Sequence, residues 1–306
     1  MKSVEALLKG LVDYAGLFPP ASEDMRPALE NYAAYLEGPD SRALGRFIVP
    51  LPRLEELEES GRGLLPRGRH SEPWHLSVLV AEDIRGAADE ILKFNRRHRA
   101  GSRSGTAIID VAELKASTGN EIPDQRRDLS AELRAFFEIP YSRDVSPLVS
   151  QIAKVGAGAK IRTGGVTPEA FPPSHAILDF MTACLREAVP FKATAGLHHP
   201  VRGEYRLTYQ PDSPMWMMYG FLNVFLAAAL LYKGESEDTA LAVLEETDPS
   251  VFIFEEDAIH WRDKRIDAER VSACRAEFAI SFGSCSFREP IDELAQLTVG
   301  TKSAIQ

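Results

Sequence analysis

The sequence predicts a (β/α)8 barrel, an α/β fold of the TIM-barrel type, and two observations predict it. Eight short runs of apolar and β-branched residues recur along the chain, and amphipathic stretches lie between most of them. Strands alternating with helices form parallel βαβ units, and eight such units close into a barrel. The spacing of the runs is also roughly even up to the seventh; a long helical and hairpin insertion, at about 197–277, then precedes the last strand. A doubly wound open sheet is the alternative fold.

The first run, LVDYAGLF (11–18), leads through AGLFPPAS into EDMRPALENYAAYL (23–36), an amphipathic helix whose Glu23 and Asp24 suit a helix N-terminus. RFIVPL (46–51) and HLSVLV (75–80) are the next two strands, separated by the Pro/Arg/Gly-rich surface loop at 59–73. The helical stretch EDIRGAADEILKFNRRH (82–98) precedes TAIIDVA (106–112). AFFEIPY (135–141), the helix PLVSQIAKVG (147–156), AKIRTGG (159–165) and FKATAG (191–196) follow, and FAISFGS (278–284) closes the series. Within the insertion, PMWMMYGFLNVFLAAALLYKG (214–234) is apolar for about the length of a membrane span. Gly220 and Asn223 interrupt it and the rest of the chain is not membrane-like, so it reads as a buried helix that a partner subunit covers. SEDTALAVLEE (236–246) is a further helix, and IHWRDKRI reads as strand–turn–strand. The other way to count is to take VFIFEE as a barrel strand and the N-terminal run as a lid. No repeat stands out, and 1–306 reads as a single domain.

Composition narrows the function. The chain is 44% hydrophobic and 26% charged, as expected of a globular protein with a large core. Its 35 basic and 45 acidic residues give a net charge of −10, which argues against nucleic acid and anionic membranes as partners. A local cationic pocket for a small anionic metabolite remains compatible with that balance. Cys184, Cys274 and Cys285 have no CxxC spacing, which points to a reducing compartment and not to a disulfide framework or zinc knuckle. The opening MKSVEALLKGLVDYAG has no signal-type apolar core, so a cytoplasmic protein is expected.

Active sites of such barrels lie at the C-terminal ends of the strands. Asp13, Asp110, Glu138, Lys160, Arg162, Lys192, Thr194, His198 and Ser284 are the polar residues near those ends. Strand side chains alternate, so Lys160 and Arg162 share a face, as do Lys192 and Thr194. Two inward lysines on neighbouring strands suit a Schiff base. The attacking amine must be neutral, and burial or a second cation lowers a lysine pKa from its ordinary ~10.4. Lys192 and Arg162 are expected to do this for Lys160, with Asp110 moving protons and Glu138 holding one lysine. The competing structural reading makes one lysine an outward snorkelling residue and the other a carboxylate partner.

These residues carry a resemblance to deoxyribose-phosphate aldolase and related class I, Schiff-base aldolase barrels. LVDYAGLFPPASEDMRPALENY resembles the family's opening strand, which bears an Asp. IIDVAELKASTGNE resembles the strand with its catalytic Asp, here Asp110. GAGAKIRTGGVTPEA resembles the Gly-Ala-Asp-x-x-Lys-Thr-Ser-Thr-Gly segment, which implies that Lys160 is the Schiff-base lysine. FKATAGLHHP resembles the following Lys-x-x-Gly-Gly strand and gives Lys192 as the second lysine; ISFGSCS resembles the last, phosphate-binding strand. The motif order agrees over most of the chain. The resemblance implies a carbon–carbon lyase without a cofactor. Arg162 departs from it, standing where the family has a small hydroxyl residue, and its guanidinium fork suits a carboxylated substrate. The insertion and the GLHHP segment depart from it too.

Two glycine-rich turns are candidate anion sites. TGGVTPEA, with Gly164 and Gly165, and SFGSCSFREPIDELAQL, with Gly283 and Ser284, both run from a strand toward a helix start, where free N–H groups bind phosphate or carboxylate. Tight packing of the βα turns is the other explanation for these glycines. His198 and His199 contact the substrate in this reading. In the runner-up they hold a divalent metal with Glu138, Asp110 or Glu255, giving a metal-dependent lyase or hydratase. A third reading is a non-catalytic barrel that binds an anionic metabolite. Cys285 reads as a small buried hydrophobe.

Overall fold

The computed structural model describes residues 1–68, 70–81, 83–141 and 144–303. Glu82, at the start of the expected 82–98 helix, and Arg69, within the 59–73 loop, lie outside the described residues. The strands are β1 (Val12–Tyr14), β2 (Leu44–Pro50), β3 (Trp74–Leu79), β4 (Ala107–Lys115), β5 (Arg134–Glu138), β6 (Gly158–Arg162), β7 (Phe191–Thr194), β8 (Gly203–Arg206), β9 (Met215–Met218), β10 (Phe252–Phe254), β11 (Ala258–Trp261), β12 (Lys264–Asp267) and β13 (Ala279–Ser284). The helices are α1 (Lys2–Leu8), α2 (Met25–Glu37), α3 (Leu54–Ser60), α4 (Ile84–Arg97), α5 (Glu121–Asp128), α6 (Ser146–Lys154), α7 (Ser174–Arg186), α8 (Phe221–Lys233), α9 (Glu237–Glu245), α10 (Ala268–Glu277) and α11 (Arg288–Ser303).

Eight strands close a parallel barrel in the order β1-β13-β7-β6-β5-β4-β3-β2, the (β/α)8 topology that the run pattern predicts. Barrel strands are covered on both faces, so they read as continuous apolar runs. Phe47, Leu76, Ile109, Phe137 and Phe191 are fully buried in the core between the barrel and its helices. β10 is not a barrel strand. It pairs antiparallel with β11, and β11 with β12, in a separate sheet, which decides the strand count in favour of the N-terminal run as β1.

Register slips occur in three strand pairs of the barrel, β1 with β2, β3 with β4 and β7 with β13, and the last two bear on the lysines. Between β3 and β4, Leu76 faces Ile109 and Ser77 faces Val111, so Asp110 is a bulge residue without a partner in β3. An extra residue re-aims the side chains after it. Beyond the bulge, Val111 and Glu113 share the inner face with Ser77. Between β7 and β13, the pairing passes from Phe191↔Ala279 to Lys192↔Ser281, which skips Ile280.

The 197–277 insertion corrects one expectation. Met215–Met218, read as the start of the apolar helix, is instead strand β9, paired with β8. α8 begins only at Phe221, and Phe221 through Leu231 are all buried. The helix is covered within the same chain by α7, α9, α10 and β13. Its apolar surface therefore gives no argument for a partner subunit. Asn223, the polar residue inside it, is fully satisfied: Nδ2 donates to the carbonyls of Val243 and Glu246, and Oδ1 accepts from the Arg202 N–H. Gly234 ends α8 in the left-handed conformation (φ +97°) that favours glycine. Among the described residues no helix is long and apolar enough to cross a membrane.

Candidate active site

Glu138, Lys160, Lys192 and Ser281 lie opposite one another across the adjacent strands β5, β6, β7 and β13. Their side chains meet inside the barrel. Lys160 Nζ donates to Glu113 Oε2 at 2.7 Å and lies 2.9 Å from Glu138 Oε2. Lys192 Nζ reaches Asp13 Oδ2 at 2.8 Å and donates to Glu113 Oε1. Ser77 Oγ also donates to Glu113 Oε1, and Ser281 Oγ to Asp13 Oδ2, both at 2.7 Å. The backbone N–H of Arg46 donates to Asp13 Oδ1 at 2.7 Å. Lys192 Nζ sits 5.4 Å from the Phe136 ring centroid, where the face of the ring adds cation–π attraction.

The network is almost closed to solvent: Asp13 is 0% exposed, Lys192 2%, Glu113 3% and Lys160 5%. Unpaired charges at that depth cost far more than a domain's margin of stability, so each ion is there only because its partners are. Burial opposes ionisation of Glu113, yet Lys160 and Lys192 outweigh it and hold the carboxyl far below the ordinary glutamate range. Burial likewise opposes the Lys160 ammonium. Attraction to Glu113 and Glu138 outweighs it, and the net direction is upward. This corrects the sequence-based expectation of a depressed Lys160 pKa. Two carboxylates contact its ammonium: Glu138, which the sequence offered as a lysine partner, and Glu113, which it did not.

The remaining predicted residues are distributed as follows. Arg162, at the end of β6, is 48% exposed and its Nη1 lies 3.9 Å from Glu138 Oε1, at the barrel mouth. Thr194 is its register partner on β7. Asp110 is not with the lysines. It faces the N-terminal end of the barrel, where Arg46 Nε and Nη2 donate to it at 2.7 and 2.8 Å and His75 Nδ1 lies at 2.9 Å. Burial opposes its ionisation, but the His75 and Arg46 hydrogen bonds bring it down to about 2. Glu113, three residues further along the same strand, is the carboxylate between the lysines. Only the bulge, which is a feature of the strand pairing and not of the sequence pattern, turns it inward. A strict period of 2 from Asp110 points Glu113 away from the barrel interior, and ending the strand at Ala112 removes it altogether. Ser77 and Ser281, each interrupting an apolar run, were legible as polar interior positions.

The glycines of the two anion-site candidates serve close packing. A Cβ on Gly164 would come within 2.9 Å of the Gly196 Cα, and one on Gly165 within 2.7 Å of the Ala170 Cβ. A Cβ on Gly283 would meet Ile48 Cδ1 at 3.0 Å. Ser284 is buried, and its Oγ accepts from the Ser286 N–H at 3.3 Å. Ser286 Oγ in turn accepts from the Glu289 N–H at 3.2 Å and caps the start of α11.

His198 and His199 bind separate carboxylates on α11. His198 Nδ1 lies 3.1 Å from Glu289 Oε2, and His199 Nδ1 lies 2.9 Å from Glu293 Oε1. Cys285 Sγ is 4.0 Å from His198 Nδ1, and Tyr209 OH donates to Glu289 Oε2 at 2.9 Å. Burial works against a charged His198, but Cys285 and Glu289 outweigh it and bring the imidazole up to about 10. The histidine ring centroids are 6.5 Å apart, and each Nδ1 has its own glutamate. Among the described residues no group of three or more His, Cys, Asp or Glu is arranged to hold a metal ion.

No protein-family model matches this chain, and no curated protein matches it significantly.

Proposed function

We propose that the chain is a Schiff-base lyase of the aldolase type, acting on a small carbonyl compound that carries a carboxylate or phosphate. One observation carries this reading: two lysines on adjacent barrel strands reach the two oxygens of one buried carboxylate, Glu113. A structural ion pair needs one lysine. The second makes a site in which the charge on one amine answers to the state of the other.

Lys160 is the nucleophile in this reading. It is the lysine bonded to Glu138, which connects through Arg162 to the barrel mouth, whereas Lys192 is tied to Asp13 and Ser281. The resting ammonium has to lose a proton before it attacks, and Glu138 is the acceptor on the substrate side. The free amine then adds to the carbonyl carbon, and the carbinolamine leaves its oxygen as water. In a β-hydroxy substrate the iminium then takes up the electron pair of the carbon–carbon bond that breaks while the β-hydroxyl gives its proton to the base, so the first product leaves as an aldehyde or ketone. The enamine left behind regains a proton on carbon, and hydrolysis of that iminium releases the second product and the amine. Lys192 does not lower the pKa of Lys160 against open water, as two isolated cations would. It neutralises Glu113 and so weakens the hold of that carboxylate on Lys160.

Borohydride reduction in the presence of a panel of small aldehydes and 2-keto acids tests the reading. A mass adduct that maps to Lys160 and is absent from Lys160→Ala is the expected result. No adduct with any member of the panel, or an adduct that survives in Lys160→Ala, overturns it.

A further inference from the structure

A pocket of about 260 Å3 opens beside the loops that follow β7, β13 and β1, its rim including His198, His199, Glu289 and Pro20. Those three strands are neighbours in the barrel, and they supply Lys192, Ser281 and Asp13 to the interior network. The β8–β9 hairpin forms the far wall with Tyr205, Leu207, Tyr209 and Met218.

Both histidines are held the same way. Glu289 and Glu293 stand one turn apart on α11, and each engages the Nδ1 of one histidine. A carboxylate can only accept, so Nδ1 is the donor in each pair and Nε2 is left for other partners. The His199 ring is also stacked on Tyr205, with centroids 3.5 Å apart, which fixes its plane. Glu289 is shared with Tyr209, so the His198 arm is anchored by two side chains. The side-chain nitrogens that line this pocket belong to the two imidazoles and to Arg206.

We propose that this pocket binds the anionic end, carboxylate or phosphate, of a small organic ligand through Nε2 of His198 and His199, with its apolar body against Leu207, Met218 and Tyr209. The inference rests on the lyase reading only in making that ligand the substrate; the binding itself does not require it. The elevated pKa of His198 supports the assignment, because an imidazolium presents Nε2–H as a charged donor.

Imidazole Cε1–H resonances, followed by NMR at low ionic strength while sodium acetate or sodium phosphate is added, test the proposal. Saturable shifts of the His198 and His199 signals are expected with at least one salt, and the tighter of the two tells carboxylate from phosphate. His198→Gln is expected to weaken the binding about tenfold, the usual effect of losing one charge-assisted hydrogen bond. Thr208→Phe, which fills the pocket and leaves both histidine–glutamate pairs in place, is expected to abolish it. Neither salt giving a saturable shift, or an affinity unchanged in Thr208→Phe, overturns the proposal. Neither probe has an aldehyde or ketone carbonyl that could form a Schiff base, so failure here leaves the Schiff-base reading standing, and failure of borohydride trapping leaves this site standing.

Discussion

Lys160 and Lys192 are register partners on β6 and β7, and their Nζ atoms bind opposite oxygens of the same Glu113 carboxylate. The carboxylate is therefore the hinge of the network, and its removal has two separable consequences.

The first concerns stability. Glu113→Gln leaves two buried ammonium groups with one fewer counter-charge. Breaking a buried ion pair from one side typically costs about 3–5 kcal/mol. A loss of that size is expected in urea denaturation at neutral pH. A loss below ~1 kcal/mol would mean that Asp13 and Glu138 suffice for the two lysines.

The second concerns the amine. Glu113 raises the Lys160 pKa, so Glu113→Gln is expected to lower it. Alkaline pH profiles of borohydride trapping, or of Lys160 acetylation read by mass spectrometry, should shift toward lower pH in the variant. An unmoved profile would show that Glu138 alone sets the charge on Lys160.

Stability should also depend on pH at both ends. Glu113 is depressed in the folded chain, so its contribution is complete above the ordinary glutamate value of ~4.3 and is lost as the pH falls below it. Asp110 acts in the same direction, its share fading from ~3.9 down to about 2. Lys160 is raised, so its contribution is complete below the ordinary lysine value of ~10.4 and is lost as the pH rises through its higher folded value. Thermal denaturation from pH 2 to 11 should give a plateau with two falling flanks. Glu113→Gln should flatten the acid flank more than Asp110→Asn does.

Asp110→Asn separates the two carboxylates of β4. Asp110 is bonded to Arg46 and His75, away from the lysines. The variant is expected to lower stability while leaving the Lys160 adduct intact. Loss of the adduct in a well-folded Asp110→Asn protein would move the chemistry to the other end of the barrel.

Asn223→Ala in α8 isolates a purely structural role. It strands the carbonyls of Val243 and Glu246 and the Arg202 N–H in a buried setting. Each lost partner costs about 1–3 kcal/mol, so destabilisation of several kcal/mol is expected in a chemical melt, with pocket and lysine chemistry unchanged.

The sequence by itself determined the barrel and its lysines. Barrel strands are apolar on both faces, so the eight runs were visible as blocks, and a lysine inside such a block stands out against its neighbours. Lys160 and Lys192 were therefore legible, and so was their adjacency, because consecutive strands of a parallel barrel pair. What surrounds them was decided by tertiary structure. One bulge at Asp110 changes which β4 side chains face inward, and it exchanges a predicted Asp110 for an actual Glu113; bulge positions leave no mark in a period-2 pattern. The sign of the Lys160 shift followed from that exchange, because it depends on which charges lie within a few ångströms and not on which lie nearby in sequence. The fate of α8 was likewise tertiary. An apolar helix must be covered, but only the packing of α7, α9, α10 and β13 shows that its own chain covers it. His198 and His199 are adjacent in sequence, yet each turns to a different glutamate on α11, a separation set by a helix that lies some ninety residues further along the chain.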